Sequence, residues 1–412
     1  MLLAALFADE NGEIFDAPDF RAMGRIGRDD MVLNLDDMIP LPEGATLVYL
    51  PGRTAVGGRG QREAVIRCNA LAVAALLPAG YTRTHLPAFK KKADAPVLPL
   101  YGYTAAALYR DTIYVAAVKS DDNDKWCPSR YNTSDFKKRV SKVKKQLRGN
   151  RIVEQLAHCS LKWHCCTAQN LFYHRWEAGI PVSPACNANC IGCISLQSSE
   201  CCPSPQSRIS FSPTPEEIAA VGTYHLSSAP EAIVSFGQGC EGEPSLAFNN
   251  IAGGIQLIRR QTNKGLININ TNAGFTGGIR AIVDAGLDSM RVSMISAIPK
   301  TYQAYYRSDY DLEDVKQSIF YAREKGVRVS LNMLFFPGLN DREEELKAWI
   351  AFLDETRVAM VQLRNLNFDP DLFLDFVPLQ PGKSLGVKVF LTHLQNRYPN
   401  LLLGSFSHFF EK

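Results

Sequence analysis

From about residue 178 onward, short strand-like apolar segments alternate with stretches of helical periodicity, and this alternation constrains the fold more than any other feature. The strand-like segments lie at 180–183, 233–236, 266–271, 289–294, 327–334 and 360–363. Strands that alternate with helices form parallel sheets, because each helix provides the crossover that a parallel strand needs. Six such units are too few for an eight-stranded barrel, so the sequence predicts an α/β fold with an open, partial (β/α)6 barrel.

The helices between these strands have signals of their own. Residues 214–217 read Thr-Pro-Glu-Glu, which is a capping box with proline at the first helical position. Leu312, Val315 and Ile319 fall on one face of a later helix. Ligands of parallel α/β folds bind at the carboxyl ends of the strands, so we expect the functional residues in the loops that follow the strands.

The first 177 residues have a different pattern, with strand-like segments at 47–50 and 113–116 and a predicted helix over 134–148. One face of that helix is strongly basic. Such a run is more often a solvated surface than a binding site, so the sequence permits an RNA partner without favouring one. We predict an N-terminal α+β accessory domain over 1–177, the barrel over 178–370 and a C-terminal cap over 371–412.

Composition narrows the class of protein. The 412 residues are 46% hydrophobic and 21% charged, with 45 basic against 42 acidic side chains, so charge alone indicates neither nucleic acid nor membrane as a partner. No apolar run has the length of a membrane-spanning helix. The 11 cysteines are an odd number, and the apolar start lacks a basic leader. We therefore expect a cytoplasmic protein whose cysteines bind metal or take part in redox chemistry.

Three of these cysteines form the strongest motif in the chain. Cys186, Cys190 and Cys193 follow the first predicted strand with the spacing Cys-x3-Cys-x2-Cys. Three thiolates on one loop can bind three irons of a [4Fe-4S] cluster and leave the fourth iron open to a small molecule. A zinc site is the competing interpretation, although structural zinc usually takes four ligands in two pairs. Three buried free thiols are the remaining alternative.

This motif in this place resembles the radical S-adenosylmethionine (radical SAM) superfamily, and further segments resemble it in order. Residues 241–244, Glu-Gly-Glu-Pro, are similar to the family's Gly-Gly-Glu-Pro turn after the second strand. Residues 271–274 resemble the family's turn after the third strand. Residues 291–293 resemble its ribose-binding position, and residues 332–338 resemble its adenine-side segment. Two positions depart from the family pattern. Gly192 stands where an aromatic residue is usual, and Glu241 replaces the first glycine of the turn.

The resemblance implies a set of cofactor contacts. S-adenosylmethionine would chelate the open iron through its amine and carboxylate, and Glu243 would accept a hydrogen bond from that amine. Gly242 and Pro244 would shape the turn, while Asn272 and Ser293 would contact the ribose or the carboxylate. A reductant such as flavodoxin or ferredoxin would supply one electron, and the cofactor would provide the radical chemistry.

Other cysteines support weaker hypotheses. Cys127, Cys159 and Cys165 are candidates for a second iron–sulfur cluster, and Cys240 is a candidate hydrogen-atom donor beside the cofactor turn. Packing as small apolar residues is the alternative for each of them.

The sequence thus favours an enzyme that cleaves S-adenosylmethionine and abstracts hydrogen from an unidentified peptide, RNA or small metabolite. The rival is a non-catalytic iron–sulfur protein that carries electrons or binds RNA. Glu243, Asn272 and Ser293 favour the enzyme, because an electron carrier needs no cofactor pocket.

Overall fold

The computed structural model describes residues 3–60, 62–122, 124–197, 204 and 206–411. Cys201 and Cys202, which follow the cysteine motif in the sequence, lie outside these ranges.

The N-terminal region is built from antiparallel strands. They are β1 (Ala4–Ala8), β2 (Ile14–Arg21), β3 (Met23–Ile26), β4 (Asp29–Val32), β5 (Ile39–Pro40), β6 (Thr46–Arg59), β7 (Arg62–Val65), β8 (Leu71–Leu76), β9 (Tyr81–Arg83), β10 (Leu86–Pro87), β11 (Phe89–Lys91), β12 (Tyr103–Tyr109), β13 (Thr112–Val115) and β14 (Ala117–Lys119). The largest sheet has the order β11-β6-β2-β1-β8-β12-β13-β5, with β7 paired to β6. Alanines, valines and leucines fill its buried positions, which is typical of a closely packed sheet.

Three helices connect this region to the rest of the chain: α1 (Phe136–Gln146), α2 (Arg151–Lys162) and α3 (Cys166–Tyr173). α1 confirms the helix predicted over 134–148, and most of its lysines are exposed while Phe136, Val140 and Val143 are buried. The buried residues of α1–α3 belong to the same hydrophobic core as the barrel that follows. The division of the chain at residue 177 stays a prediction.

A parallel sheet follows, with its strands in sequence order. The strands are β15 (Glu177–Gly179), β16 (Ile233–Phe236), β17 (Leu266–Thr271), β18 (Ser289–Met294), β19 (Arg328–Phe335), β20 (Met360–Asn365) and β21 (Leu402–Gly404). Several helices of this region pack side by side. They are α4 (Pro215–Ser228), α5 (Phe248–Gln261), α6 (Thr276–Asp284), α7 (Pro299–Tyr306), α8 (Leu312–Glu324), α9 (Glu343–Thr356), α10 (Pro370–Phe376) and α11 (Val387–Arg397). The predicted partial (β/α) barrel is confirmed.

Two strands differ from the prediction. The first strand was predicted at 180–183, but it lies just before that segment and ends at Gly179. Pro181 explains this end, because proline has no N–H to donate to the neighbouring strand. A further strand, β21, pairs with β20 inside the segment that was predicted as a cap. No helix among the described residues is long and apolar enough to cross a membrane.

The N-terminal sheet contacts the loop that follows β20. Arg53 and Asp369 form a fully buried ion pair, and Arg25 pairs with Asp371 at 2.7 Å. Residues 77–81, which connect β8 to the start of β9, line a cavity at the carboxyl ends of the parallel strands.

Candidate functional site

A cavity of about 550 Å³ lies at the carboxyl ends of the parallel strands. The predicted cofactor residues and cysteines that line it are Cys159, Cys165, Cys186, Cys190, Cys193, Cys240, Gly242, Glu243, Pro244, Asn272 and Ser293. This is the position that loops after parallel strands provide. Cys127 is the predicted site residue that lies apart from this group. Its thiol is 3.5 Å from Glu43 Oε1 and 3.0 Å from Ser129 Oγ.

The loop that carries Cys186, Cys190 and Cys193 is fixed by the end of α7. The N–H of Asn189 donates to the carbonyl of Tyr306 at 2.9 Å, and the N–H of Ile191 donates to that of Tyr305 at 3.2 Å. Burial raises the pKa of Cys186 and of Cys190. Because metal binding requires thiolates, iron must displace protons when it binds to these two residues.

The donor set suits an iron–sulfur cluster. All three predicted ligands are soft thiols, and they lie on one loop that lines the cavity. A structural zinc site normally takes four ligands, usually as two separated pairs. Three soft thiol ligands on a loop that lines a cavity therefore fit a [4Fe-4S] cluster with one open iron.

The turn at residues 241–244 lies directly against the cysteine loop. Gly242 N–H donates to the Ser183 carbonyl at 2.7 Å, and Glu243 N–H donates to the Ala185 carbonyl at 2.8 Å. A Cβ on Gly242 would lie 2.0 Å from the Ala185 carbonyl oxygen. Glycine is therefore required for the turn to approach the residue before Cys186.

Glu241, which replaces the first glycine of the family's Gly-Gly-Glu-Pro turn, has a structural role. Its carboxylate accepts backbone N–H groups from Val182 and Ser183 at 2.8 and 3.1 Å. It also accepts those of Gly237 and Gln238 at 2.7 and 3.0 Å. Burial raises the pKa of this carboxyl, whereas the four N–H donors favour its ionised form. Glu241 thus ties the loop after β15 to the loop after β16.

Glu243 is buried and oriented by three donors. Oε1 accepts from the Ser245 N–H at 3.0 Å and from the Thr271 hydroxyl, while Oε2 accepts from the Asn272 N–H at 2.9 Å. A carboxylate oxygen can accept two hydrogen bonds, so Oε2 has a site left for one further donor. That remaining site suits the ammonium group that the sequence prediction assigns to Glu243.

Asn272 and Ser293 differ in how much of their bonding capacity is used. The Asn272 amide donates to Asn187 Oδ1 at 2.7 Å and accepts from the Gly274 N–H at 3.0 Å, so it holds the cysteine loop and its own turn. Ser293 is half-buried on β18, and its hydroxyl has no partner among the described residues. Ser293 is therefore the freer of the two to contact a ligand.

The space beside Gly192 is occupied by other aromatic side chains. A Cβ at Gly192 would lie 3.1 Å from the Tyr305 hydroxyl and 3.6 Å from the Phe368 ring. Tyr305 follows β18 and Phe368 follows β20. The aromatic side chains beside the cysteine motif therefore come from α7 and from the loop after β20.

Arg208 is a site residue that sequence reasoning missed. Its Nη2 lies 3.6 Å from Cys193 Sγ, and its Nε donates to Ser195 Oγ at 3.1 Å. The charge of Arg208 also opposes the effect of burial, which raises the pKa of Cys186. The sequence carried no signal for it, because Arg208 lies 15 residues after Cys193.

Cys159, Cys165 and Cys240 form a second group of thiols in the cavity. The Cys159 and Cys240 thiols interact, and this interaction lowers the pKa of Cys159 and raises that of Cys240. Side-chain amides donate to two of the sulfurs, Gln155 Nε2 to Cys159 at 3.3 Å and Gln206 Nε2 to Cys165 at 3.6 Å. The structure thus brings Cys240, and not Cys127, into the group with Cys159 and Cys165.

Comparisons with known proteins agree with this geometry. The radical SAM superfamily matches residues 180–350. A probable GTP 3′,8-cyclase from Methanothermobacter thermautotrophicus is 37% identical over 93 residues, which are 22% of this chain and 30% of that protein. The chain thus spans less than a third of this curated relative.

Two solved structures illustrate the wider similarity. Streptococcus suis SuiB bound to precursor peptide SuiA has 15% identity and a TM-score of 0.40, over 67% of this chain and 62% of that one. A radical SAM methyltransferase from Sphaerobacter thermophilus has 13% identity and a TM-score of 0.40, over 81% and 76%. Similarities of this extent say nothing about a substrate.

Proposed function

We propose that this chain, whose residues 180–350 belong to the radical SAM superfamily, is an enzyme that reductively cleaves S-adenosylmethionine and abstracts hydrogen from a substrate. One observation carries the proposal: Cys186, Cys190 and Cys193 share a cavity with the turn at 242–244 and with Asn272 and Ser293. A protein that only carried electrons would not need this polar pocket beside its cluster.

The cluster would be held by the three cysteines, with Arg208 beside Cys193. When bound, it supplies the electron that cleaves the sulfonium of S-adenosylmethionine and so generates the 5′-deoxyadenosyl radical. The residues of the chain position the reactants. The free acceptor site of Glu243 Oε2 would bind the methionine ammonium, and Gly242 leaves the room for the turn to lie against the cysteine loop.

The N-terminal sheet would limit the access of water. Residues 77–81 line the cavity together with loops of the barrel. A reactive radical needs such shielding, because water and side reactions would otherwise consume it. We place the reaction in the cytoplasm, with flavodoxin or ferredoxin as the one-electron donor and a peptide, an RNA or a small metabolite as the substrate.

We also propose that Cys159, Cys165 and Cys240 hold a second iron–sulfur cluster. Their shared cavity and the amide donors to two of their sulfurs support it, since such donors tune cluster potentials. Cys240 would then be a ligand and not a hydrogen-atom donor.

The test is cofactor cleavage in the absence of substrate. Anaerobically reconstituted protein, given dithionite and S-adenosylmethionine, should form 5′-deoxyadenosine and methionine, measured by liquid chromatography. Cys186→Ala should abolish this product, because the open iron is lost with the cluster. Cys68→Ala is the matched control, since Cys68 is exposed and far from the motif in sequence. The electron-carrier alternative would be favoured if wild-type protein kept its cluster but formed no 5′-deoxyadenosine. In that case S-adenosylmethionine would also leave the electron resonance spectrum of the cluster unchanged.

A further inference from the structure

The cavity has two sides with different chemistry. The cysteine loop follows β15, and the turn with Glu243 follows β16. On the other side, Arg291 on β18 and Arg364 on β20 line the same cavity, with β19 between their strands. The arginines therefore lie apart from the cysteine loop and the turn at 241–244, while Arg291 shares β18 with Ser293, the predicted ribose or carboxylate contact.

Neither guanidinium has its hydrogen-bonding capacity satisfied. Arg291 is only 6% exposed, and its Nη1 donates to Gln362 Oε1 at 3.1 Å and to Ser407 Oγ at 3.0 Å. Its Nε is buried without a partner. The guanidinium of Arg364 has no hydrogen bond and no ion pair among the described residues, and the charges of Glu177 and Asp121 act on it only from a distance. Leaving a buried donor such as Arg291 Nε unpaired is costly, and Arg364 adds a half-buried charge that faces the same cavity. Both features indicate that a ligand supplies acceptors here.

A third donor lies next to Arg291. Asn270 on β17 is the register partner of Arg291, lines the cavity and is 8% exposed. Its Nδ2 is buried and has no acceptor. Three side chains on β17, β18 and β20 thus present unused N–H groups to one space.

Among the described residues, no carboxylate forms an ion pair with these arginines, although the charge of Glu177 acts on both of them and that of Asp121 acts on Arg364. Of the described residues that line the cavity, the carboxylates are Glu241 and Glu243. Glu241 accepts four backbone N–H groups and Glu243 is held by three donors. Burial, and secondly the charge of Arg291, lowers the pKa of Arg364 to about 10, so this guanidinium remains charged at neutral pH.

We propose that the substrate carries a carboxylate or phosphate group, and that Arg364 and Arg291 bind this anionic group on the β18–β20 side of the cavity. Guanidinium matches both oxyanions through paired N–H donors. The proposal rests on the proposed function in one respect, namely that the cavity with the cofactor residues is also the substrate site. It narrows the substrate from any peptide, RNA or metabolite to one that presents an oxyanion inside the barrel.

The test uses reconstituted protein without S-adenosylmethionine, so that it is independent of cofactor cleavage. Thermal unfolding is followed in increasing inorganic phosphate and, separately, succinate, at an ionic strength held constant with chloride. Succinamide is the uncharged control. We expect a saturable rise of the unfolding temperature with at least one anion and none with succinamide. Which anion acts distinguishes a phosphate from a carboxylate substrate.

Arg364→Gln should raise the half-saturating anion concentration by about tenfold or more, because charged hydrogen bonds are lost. Without any anion, the same change should raise the unfolding temperature, because an unpaired charge is removed from the cavity wall. Arg364→Lys keeps the charge and should lose less affinity. Arg260→Gln, at an exposed position on α5, is the matched control and should behave as wild type.

Iron content and circular dichroism verify that each variant is folded. If Arg364→Gln does not fold, Arg291→Lys is tested in its place. Equal anion responses in wild type and folded variant, or no response to either anion, would overturn the proposal. A tenfold loss of S-adenosylmethionine affinity in Arg364→Gln with an unchanged anion response would overturn it as well, by assigning Arg364 to the cofactor carboxylate. Failure of these tests leaves 5′-deoxyadenosine formation untouched, so the two proposals fail separately.

Discussion

The guanidinium of Arg53 lies 2.5 Å from the carboxylate of Asp369, and both side chains are fully buried. Arg53 belongs to β6 of the N-terminal sheet, whereas Asp369 caps α10 in the loop after β20. Asp369 also accepts the Leu98 N–H at 3.0 Å. This one carboxylate therefore joins the N-terminal sheet to the rim of the cavity.

Arg53→Met should lower the free energy of unfolding by about 3–5 kcal/mol, because it leaves a buried carboxylate without its counter-charge. Urea unfolding followed by circular dichroism measures the change. Arg28→Met is the matched control, since Arg28 pairs with Asp375 in the same contact but with side chains 58% and 61% exposed. That exposed pair should contribute only about 0–1 kcal/mol. Losses of similar size in the two variants would contradict a special role for the buried pair.

Gly242→Ala should disturb cluster binding more than it disturbs folding. The added Cβ would meet the Ala185 carbonyl oxygen at 2.0 Å, so the turn and the cysteine loop must separate. Such overpacking typically costs about 1–3 kcal/mol. Because the strain falls next to Cys186, we expect a lower iron content per chain and weaker S-adenosylmethionine binding.

The control for this change is Gly277→Ala on α6, where the nearest atom to an added Cβ is 3.4 Å away in the flexible Phe275 ring. Iron content and the electron resonance response to S-adenosylmethionine should match wild type there. A Gly242→Ala protein with a full cluster and normal cofactor binding would show that the turn tolerates displacement.

The sequence predicted the barrel well because its signals are local. The segments predicted at 266–271 and 289–294 are strands with those same bounds. The edge strands were harder, since β21 is only Leu402–Gly404 and such a short segment carries no periodicity. Its existence depends on pairing with β20, which is tertiary information.

The site was predictable only where family resemblance and loop position coincide. Cys186 and Glu243 follow strands closely, and both line the cavity as expected. Glu241 acts through four backbone N–H groups from two loops, a role that no spacing in the sequence encodes. Cys127 precedes Cys159 in the sequence, and α1 lies between them. Its thiol lies beside Glu43 and not beside Cys159, which the sequence did not indicate.

His225 should make the protein sensitive to acid. It is fully buried on α4, with Nε2 3.1 Å from the Trp176 carbonyl and Nδ1 without a partner. Burial, and to a smaller extent the charge of His174, lowers the pKa of His225 to about 4. The unfolded chain, with an ordinary histidine pKa of about 6.5, binds this proton more readily. The free energy of unfolding therefore falls as the pH drops from about 6.5 towards 4.

Between about pH 7.5 and pH 5, this one group should account for a loss of roughly 2 kcal/mol in the free energy of unfolding. Urea unfolding at both pH values measures it. In His225→Phe that part of the pH dependence should disappear, whatever the absolute stability of the variant. His393→Phe, at an exposed position on α11, should keep the wild-type pH dependence. An unchanged slope in His225→Phe would mean that other groups govern the acid transition.

The second group of cysteines gives a prediction about iron content. If Cys159, Cys165 and Cys240 hold a cluster, protein with Cys186, Cys190 and Cys193 all changed to alanine should still bind iron. In that background, any iron retained after anaerobic reconstitution must lie elsewhere in the chain, and a four-iron cluster would give about four irons per molecule. Changing the Cys159–Cys165–Cys240 group to alanine as well should remove it.

Cys127→Ala in the same background is the matched control. Cys127 is buried like Cys159 and Cys240, but its thiol lies beside Glu43 and Ser129, so its loss should leave the retained iron unchanged. Loss of the retained iron in Cys127→Ala would instead support the ligands predicted from the sequence, Cys127, Cys159 and Cys165. A triple variant of the motif that is free of iron and folded by circular dichroism would show that the second group only packs in the core. In that case the contact between Cys159 and Cys240 would be one between two buried thiols, and Cys240 would again be open to donate a hydrogen atom to a substrate radical.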